Sequence, residues 1–490
     1  MRTLKLIFLP LLLFLFFGCS DMMSKYNFRE DFFKVGVIID NDSEFCYVQQ
    51  VNLRVTFDNI ARVRFLEDGK TWSSWMSPQN SYPWTLSYKN GERSITCEAE
   101  TIYGDILTST DTIIYYDRVS SGISLMNIST YTFDASPNLN CIVTGVSSGS
   151  GNFITVYTRG TNTWIEERVI LQQPVTSEFS AVSVNSDGSL FAIGCASNDD
   201  KKGAVFLYER ISGTWVMQKS FYGSIEGEKL GISVKLSGDS SKLIIGVAGK
   251  NTFAGHLELY NRSDNWGTST LLPPIAKGAY DIYGDFATSL DCNEDASVIV
   301  VGEPDFCYSN PAPVYAGKVY VYTDSGGGYA GSILVNPNQT GPSEFGLSVS
   351  CDSNGTYAIV GAPGESKAYI FNLSDNSLHE TVSVLGLSSS ANFGRSVDIA
   401  SVSGKSLVAV SAHEQTGLRG VRTGAVYLFD RSGTLLETVE LKDSQAVDLF
   451  GRKVIVGADA KSFSASVPGD DIFTSSDNQG SVYVFRDIIN

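Results

Sequence analysis

Histidine is nearly missing from this chain: His256, His379 and His413 are the only three in 490 residues. None sits in a metal-ligand or nucleophile motif, which removes the signatures of zinc hydrolases and of the common catalytic triads. His256 opens a strand-like run, His379 lies in an expected outer strand, and His413-Glu414 opens a long loop. The eight cysteines form no Cys-x-x-Cys pair, so zinc-knuckle and dithiol redox motifs are excluded. Positive charge is short as well. Lys and Arg number 36 against 53 Asp and Glu, a formal net charge of −17. Such a surface repels phosphate backbones, so no nucleic-acid partner is expected. The same acidity keeps an exported protein soluble. Gly326-Gly327-Gly328 lacks the following Lys and helix of a phosphate cradle and reads as a turn. Beyond the first residues, no apolar run approaches the roughly 20 residues of a membrane helix.

The N-terminus supplies what the rest lacks. Arg2 and Lys5 precede the apolar stretch Leu6 to Phe17, and Gly18-Cys19 follows. This is the layout of a removed signal peptide. Its ending resembles a bacterial lipobox, with Phe16 where Leu is usual. The resemblance implies a signal peptide over residues 1–18 and a lipid on Cys19. Residues 19–25 then form a tether. Two or more acyl chains on that cysteine would hold the protein stably in a membrane. The expected location is the bacterial cell envelope, anchored in the outer or inner membrane and exposed to the periplasm or the cell surface.

Residues 26–117 contain strand-like runs at 51–57, 61–68, 82–88, 94–102 and 111–116. Val51, Leu53, Val55 and Phe57 alternate with polar residues, the period of a half-buried strand. Asp68-Gly69 and Asn90-Gly91 are turn dipeptides. An antiparallel sandwich is expected. Around Trp84-Thr85-Leu86 and from Gly91 to Ala99 it resembles the immunoglobulin-like modules of bacterial surface proteins. Cys46 and Cys97 fall in this one small domain and can pair in an oxidising compartment.

Residues 118–490 are dominated by a repeat. A start of the form FG-x-S-V is clearest in Phe345-Gly346-Leu347-Ser348-Val349 and Phe393-Gly394-Arg395-Ser396-Val397. Phe450-Gly451-Arg452-Lys453-Val454 is a third copy. Each start leads through an apolar run to a closing G-x-V-Y-V-F phrase, at 203–208, 317–322, 424–429 and 480–485. The closing aromatics are Tyr157, Tyr208, Tyr260, Tyr322, Phe371, Phe429 and Phe485, spaced by 51, 52, 62, 49, 58 and 56 residues. Seven units of this length fit seven four-stranded propeller blades. After Phe485 too few residues remain for a fourth strand. Residues 120–126 are therefore expected to return as the outer strand of the last blade, closing the ring and removing an edge. The fold class expected for the whole chain is all-β, a seven-bladed β-propeller preceded by a small Ig-like β-sandwich.

The units resemble the FG-GAP repeats of the integrin alpha-subunit propeller and its bacterial relatives. The likeness is fullest from Phe345 to Pro363. Leu230-Gly231 and Phe286-Ala287 replace FG elsewhere, and Gly302-Glu303-Pro304 and Ser466-Val467-Pro468 replace GAP. The resemblance implies a propeller used chiefly for binding. It also raises calcium, which needs six to eight oxygens. The corresponding turns, such as Asn185 to Gly188 and Asp352 to Gly355, are short and poor in acids; Asp291 to Asp295 is the richest. No cofactor, no metal and no catalytic residue is therefore expected.

Binding is sought in three long loops between second and third strands, Pro304 to Ala316, Ala412 to Thr423 and Pro468 to Gln479, because long loops on rigid scaffolds carry function. The candidate ligand-binding residues there are Phe306, Tyr308, Tyr315, His413, Arg419, Arg422, Asp470, Asp471 and Phe473. Exposed aromatics with arginine suit a protein or glycan partner. The expected function is a lipid-anchored, non-catalytic binding or adhesion module. Two alternatives stay open: an exported polysaccharide-active enzyme with its site in the propeller funnel, and an envelope-assembly scaffold.

Overall fold

The computed structural model describes residues 34–40, 45–46, 50–71, 73–85, 91–115, 117–120, 132–148, 151–160, 164–171, 175, 177–249, 255–275, 285–306, 316–339, 341–416, 422–440, 448–469, 480–486 and 488. The expected signal peptide, Cys19 and the expected tether lie outside them. The chain divides into two compact units, Met1–Asp117 and Arg118–Asn490.

The first unit is a two-sheet sandwich. Strands Lys34–Asp40, Gln50–Asp58 and Ser81–Thr85 make one antiparallel sheet. Phe45–Cys46, Ile106–Tyr115, Gly91–Thr101, Ile60–Glu67 and Lys70–Thr71 make the other. Alternation along the strands places Leu53 and Val55 against Val63, Phe65, Ile95, Cys97 and Ala99 in one apolar core. Trp84 packs edge-on to Phe65, with centroids 5.5 Å apart. Cys97 is a free, buried thiol in that core, and burial pushes it up to about 12. The Cys46–Cys97 pairing is thus not formed. The strand Ile106–Tyr115 lies between the strands that carry the two residues. The side chain of Cys46 lies outside the described residues.

The second unit holds seven four-stranded antiparallel sheets among the described residues. Six use strands consecutive in sequence; the fifth, for example, is Ser348–Cys351, Tyr357–Ala362, Lys367–Asn372 and Ser377–Val382. Each closing aromatic of the repeat sits on a third strand, as Tyr322 does in Lys318–Asp324. The seventh sheet has Val454–Val456, Phe463–Val467 and Ser481–Phe485, and takes Asp117–Ser120 as its outer strand. The returning strand therefore begins three residues before the expected segment, whose remainder lies outside the described residues.

Neighbouring sheets pack face to face. Ile193, Phe206 and Tyr208 of the second sheet meet Val143 and Val156 of the first. Ile455, Val482 and Val484 of the seventh meet Phe133, Ile142 and Tyr157 of the first. The succession closes on itself, and the unit is a β-propeller.

The repeat motif is the fastener between sheets. Gly361 lies one residue before the end of the second strand of the fifth sheet, where a Cβ would lie 2.0 Å from the carbonyl oxygen of Gly394 in the sixth. Gly394 itself has φ +92°, open to glycine and strained for other residues. The recurring FG and the glycine of GAP thus meet each other across the sheet boundary.

Candidate functional site

The innermost strands surround a channel of about 450 Å³. Its wall repeats with the sequence. The serine of FG-x-S-V ties each inner strand to the next sheet. Ser233 Oγ donates to the Ala287 carbonyl at 2.6 Å and Ser289 Oγ to that of Gly346 at 2.7 Å. Ser348 and Ser396 accept the backbone amides of Val397 and Val454. Two residues further along stand Asp134, Lys235, Asp291, Ser350, Asp398 and Ile455, all lining the channel.

The three carboxylates here are fasteners too. Asp134 accepts the amide of Val184 at 2.8 Å, Asp291 that of Cys351 at 2.8 Å, and Asp398 that of Val456 at 2.6 Å. The second oxygen of Asp291 meets Lys235 Nζ at 2.7 Å, and that of Asp398 accepts the Ser350 hydroxyl. Burial, with Asp291 nearby, raises Asp398 to about 6 against opposition from those hydrogen bonds and Lys235.

The two ends of the channel differ. At the end where the FG turns lie, the residue before the motif's serine position faces the opening. It is Ile232, Thr288 and Leu347 in the third to fifth sheets, but Arg395 and Arg452 in the sixth and seventh. In the seventh the serine itself becomes Lys453, whose Nζ reaches across the closure to the Phe133 carbonyl at 2.6 Å. Behind these arginines lies His413, 1% exposed, with Nε2 at 3.0 Å from an Arg452 guanidinium nitrogen. Burial first, then Arg452, Arg395 and Arg422, pushes the imidazole down to about 3. At the opposite end, the first-hairpin turns interlock. Ser186 donates its amide to Gly238, Asp239 to Glu294 and Glu294 to Ser353, while the Ser186 hydroxyl donates to the Glu294 carboxylate at 3.0 Å.

The acids of those turns are engaged locally. Asp187, Asp239 and Asp295 each accept the amide two residues on, closing Asx turns. Hydrogen bonds from Ser297, side chain then backbone, hold Asp295 below the usual carboxylate range. Among the described residues, no three His, Cys, Asp or Glu side chains converge as a metal site.

The long-loop candidates fare unevenly. Phe306 is not exposed; it is buried, with Lys318 Nζ 3.1 Å from its ring centroid. His413 is buried as well. Arg422 is exposed and bridges to Glu414 at 3.2 Å. Tyr308, Tyr315, Arg419, Asp470, Asp471 and Phe473 lie outside the described residues. The loops do share the FG end: Glu414 donates its amide to Ala391 and Gly469 to Asp448, each just before an FG turn. Sequence reasoning missed Arg395, Arg452 and Lys453. Their signal was present, since they are the variable and the broken positions of an otherwise constant motif.

No family model and no curated protein matches this chain. Among solved structures it is similar to the crystal structure of the Myceliophteria thermophila Cps50 (Swd1) beta-propeller domain. The TM-score is 0.48 at 10% sequence identity, covering 75% of this chain and 98% of that one.

Proposed function

We propose that this chain is a non-catalytic binding protein, a seven-bladed FG-GAP-type propeller carried on one chain with an Ig-like sandwich. It takes a protein or glycan partner on the face that bears the FG turns. In this reading Cys19 carries a lipid that anchors the protein in a bacterial envelope. One observation carries the proposal. Every channel aspartate at the repeated position already accepts a backbone amide of the next sheet. A carboxylate fixed in that way serves the scaffold, and what varies around it is the open face.

Arrayed glycans and envelope proteins, probed with the full chain, test this. Saturable binding weakened at least tenfold by Tyr308→Ala or Arg419→Ala supports the loop face. Binding unchanged in both variants removes those loops from the site. Labelling with a fatty acid tests the anchor, with incorporation expected in the native chain and lost in Cys19→Ala.

The enzyme reading keeps one supporting observation, the raised carboxyl of Asp398 in a water-accessible channel. General acids are tuned upward in this way. Release of reducing ends from a polysaccharide panel, abolished by Asp398→Asn, would establish it; absence of turnover would leave the binding reading alone.

A further inference from the structure

We propose that the FG-end mouth of the channel is a carboxylate-binding site that receives an acidic side chain from a peptide segment of the partner, with Arg395 as its direct ligand and Arg452 beside it. This rests on the binding reading and names the chemistry that the partner would present. Arg395 lines the channel, and its guanidinium has no hydrogen-bond or ion-pair partner among the described residues. In a chain of net charge −17, an unmatched guanidinium set in a concave wall is out of keeping with its surroundings. Arg452 occupies the same motif position one sheet on and is held from behind by His413. That contact fixes its fork, and two neighbouring guanidinium groups match the planar, two-oxygen face of a carboxylate.

The opposite rim decides what accompanies the carboxylate. Ile232 and Leu347 lie there, with Thr288 between them in the ring. The described lining contains no aromatic ring, so the stacking platform that sugar rings favour is missing. Deeper in, Lys235 is matched by Asp291 and Lys453 by the Phe133 carbonyl, which leaves the mouth as the place where an incoming anion meets unmatched charge. An extended polyanion is repelled by the chain as a whole. A single acidic residue flanked by aliphatic ones fits both walls.

Selection of a random linear peptide library on the full-length protein, run in parallel on Arg395→Gln, tests the site. Peptides that contain Asp or Glu next to Leu, Ile or Val should be enriched on the native chain. They should bind Arg395→Gln at least tenfold more weakly, with partial rescue in Arg395→Lys. Replacing the acid by its amide in the best peptide should cost a similar factor. Inorganic phosphate and galacturonate serve as competitors, and displacement by galacturonate at lower concentration than by the free acidic peptide would overturn the choice of a peptide ligand. Enriched peptides that bind both proteins equally would overturn the site while leaving a binding module intact. No enrichment on either protein would overturn the site and the peptide-binding form of the module together.

Discussion

The third to fifth sheets and the sixth to seventh are built on one motif and differ at its two central positions. Ile232-Ser233, Thr288-Ser289 and Leu347-Ser348 become Arg395-Ser396 and Arg452-Lys453. The backbone is indifferent to the change. Gly231, Gly346, Gly394 and Gly451 all keep φ between +83° and +92°, and the inner strands keep their ties to the next sheet. The recurring residues therefore answer to packing between sheets. The departures answer to the channel mouth, where no packing demand requires a cation.

Breaking the regular side of this comparison should have the largest effect. Gly361→Val puts a Cβ and two methyl groups where the Gly394 carbonyl already stands at 2.0 Å. Only a shift of two sheets relieves the clash, so a loss of about 3 kcal/mol or more is expected in urea denaturation. Leu347→Arg, next to Gly346, the counterpart of Gly394, and facing the opening, should stay within about 1 kcal/mol. Equal losses would mean that the mouth position is also scaffold.

Acid should sharpen the comparison next. His413 titrates near 3 in the folded protein against 6.5 in the unfolded chain. Between those values the unfolded state binds more protons, so the stability that neutral His413 contributes is whole above about pH 6.5 and is lost as pH falls. Asp398 has the opposite sign. Its folded value of about 6 exceeds the ordinary 3.8, so its contribution is whole below pH 3.8 and is lost as pH rises through 6. A stability profile from pH 7 to 4 should show a net fall of about 1 kcal/mol, the His413 loss exceeding the Asp398 gain. His413→Gln should flatten the fall, and Asp398→Asn should steepen it. The same direction of change in both variants would refute the assignment.

Much of the fold was legible because its rules are local and periodic. The spacing of Tyr157 through Phe485 counts the sheets, and the shortage of residues after Phe485 points to a strand returning from before the propeller. Asp117–Ser120 takes that place. The candidate site was less legible. Loop length drew the eye to Phe306 and His413, yet both are buried, Phe306 under Lys318 and His413 under Arg452. An aromatic or imidazole beside a cation is hidden as readily as it is displayed, and sequence does not say which. The mouth arginines are 57 residues apart in the chain, and only the packing of the sixth sheet against the seventh makes them neighbours. A pairing of Cys46 with Cys97 was permitted by composition and is not formed, because a strand lies between those that carry them.

The smallest effect is expected where the two halves of the comparison meet. Lys453 stands in the serine place of the seventh repeat and ties the last sheet to the first through Phe133. Lys453→Ser restores the motif but shortens the donor by several ångströms. The Phe133 carbonyl then loses a charge-assisted hydrogen bond of about 1.5–3 kcal/mol. Against this, burial already lowers the Lys453 ammonium below its usual range, Asp134 and Asp398 notwithstanding, and removing a buried charge recovers part of that loss. The difference should be a destabilisation of about 1 kcal/mol. Lys453→Met keeps the stem and deletes the charge. If it matches the native chain in denaturation, the ammonium is not the closing tie, and the ring is held by the Asp117–Ser120 strand and by Ile455, Val482 and Val484 against Phe133 and Ile142. If it falls with Lys453→Ser, closure depends on the one repeat that abandons the rule kept by the others.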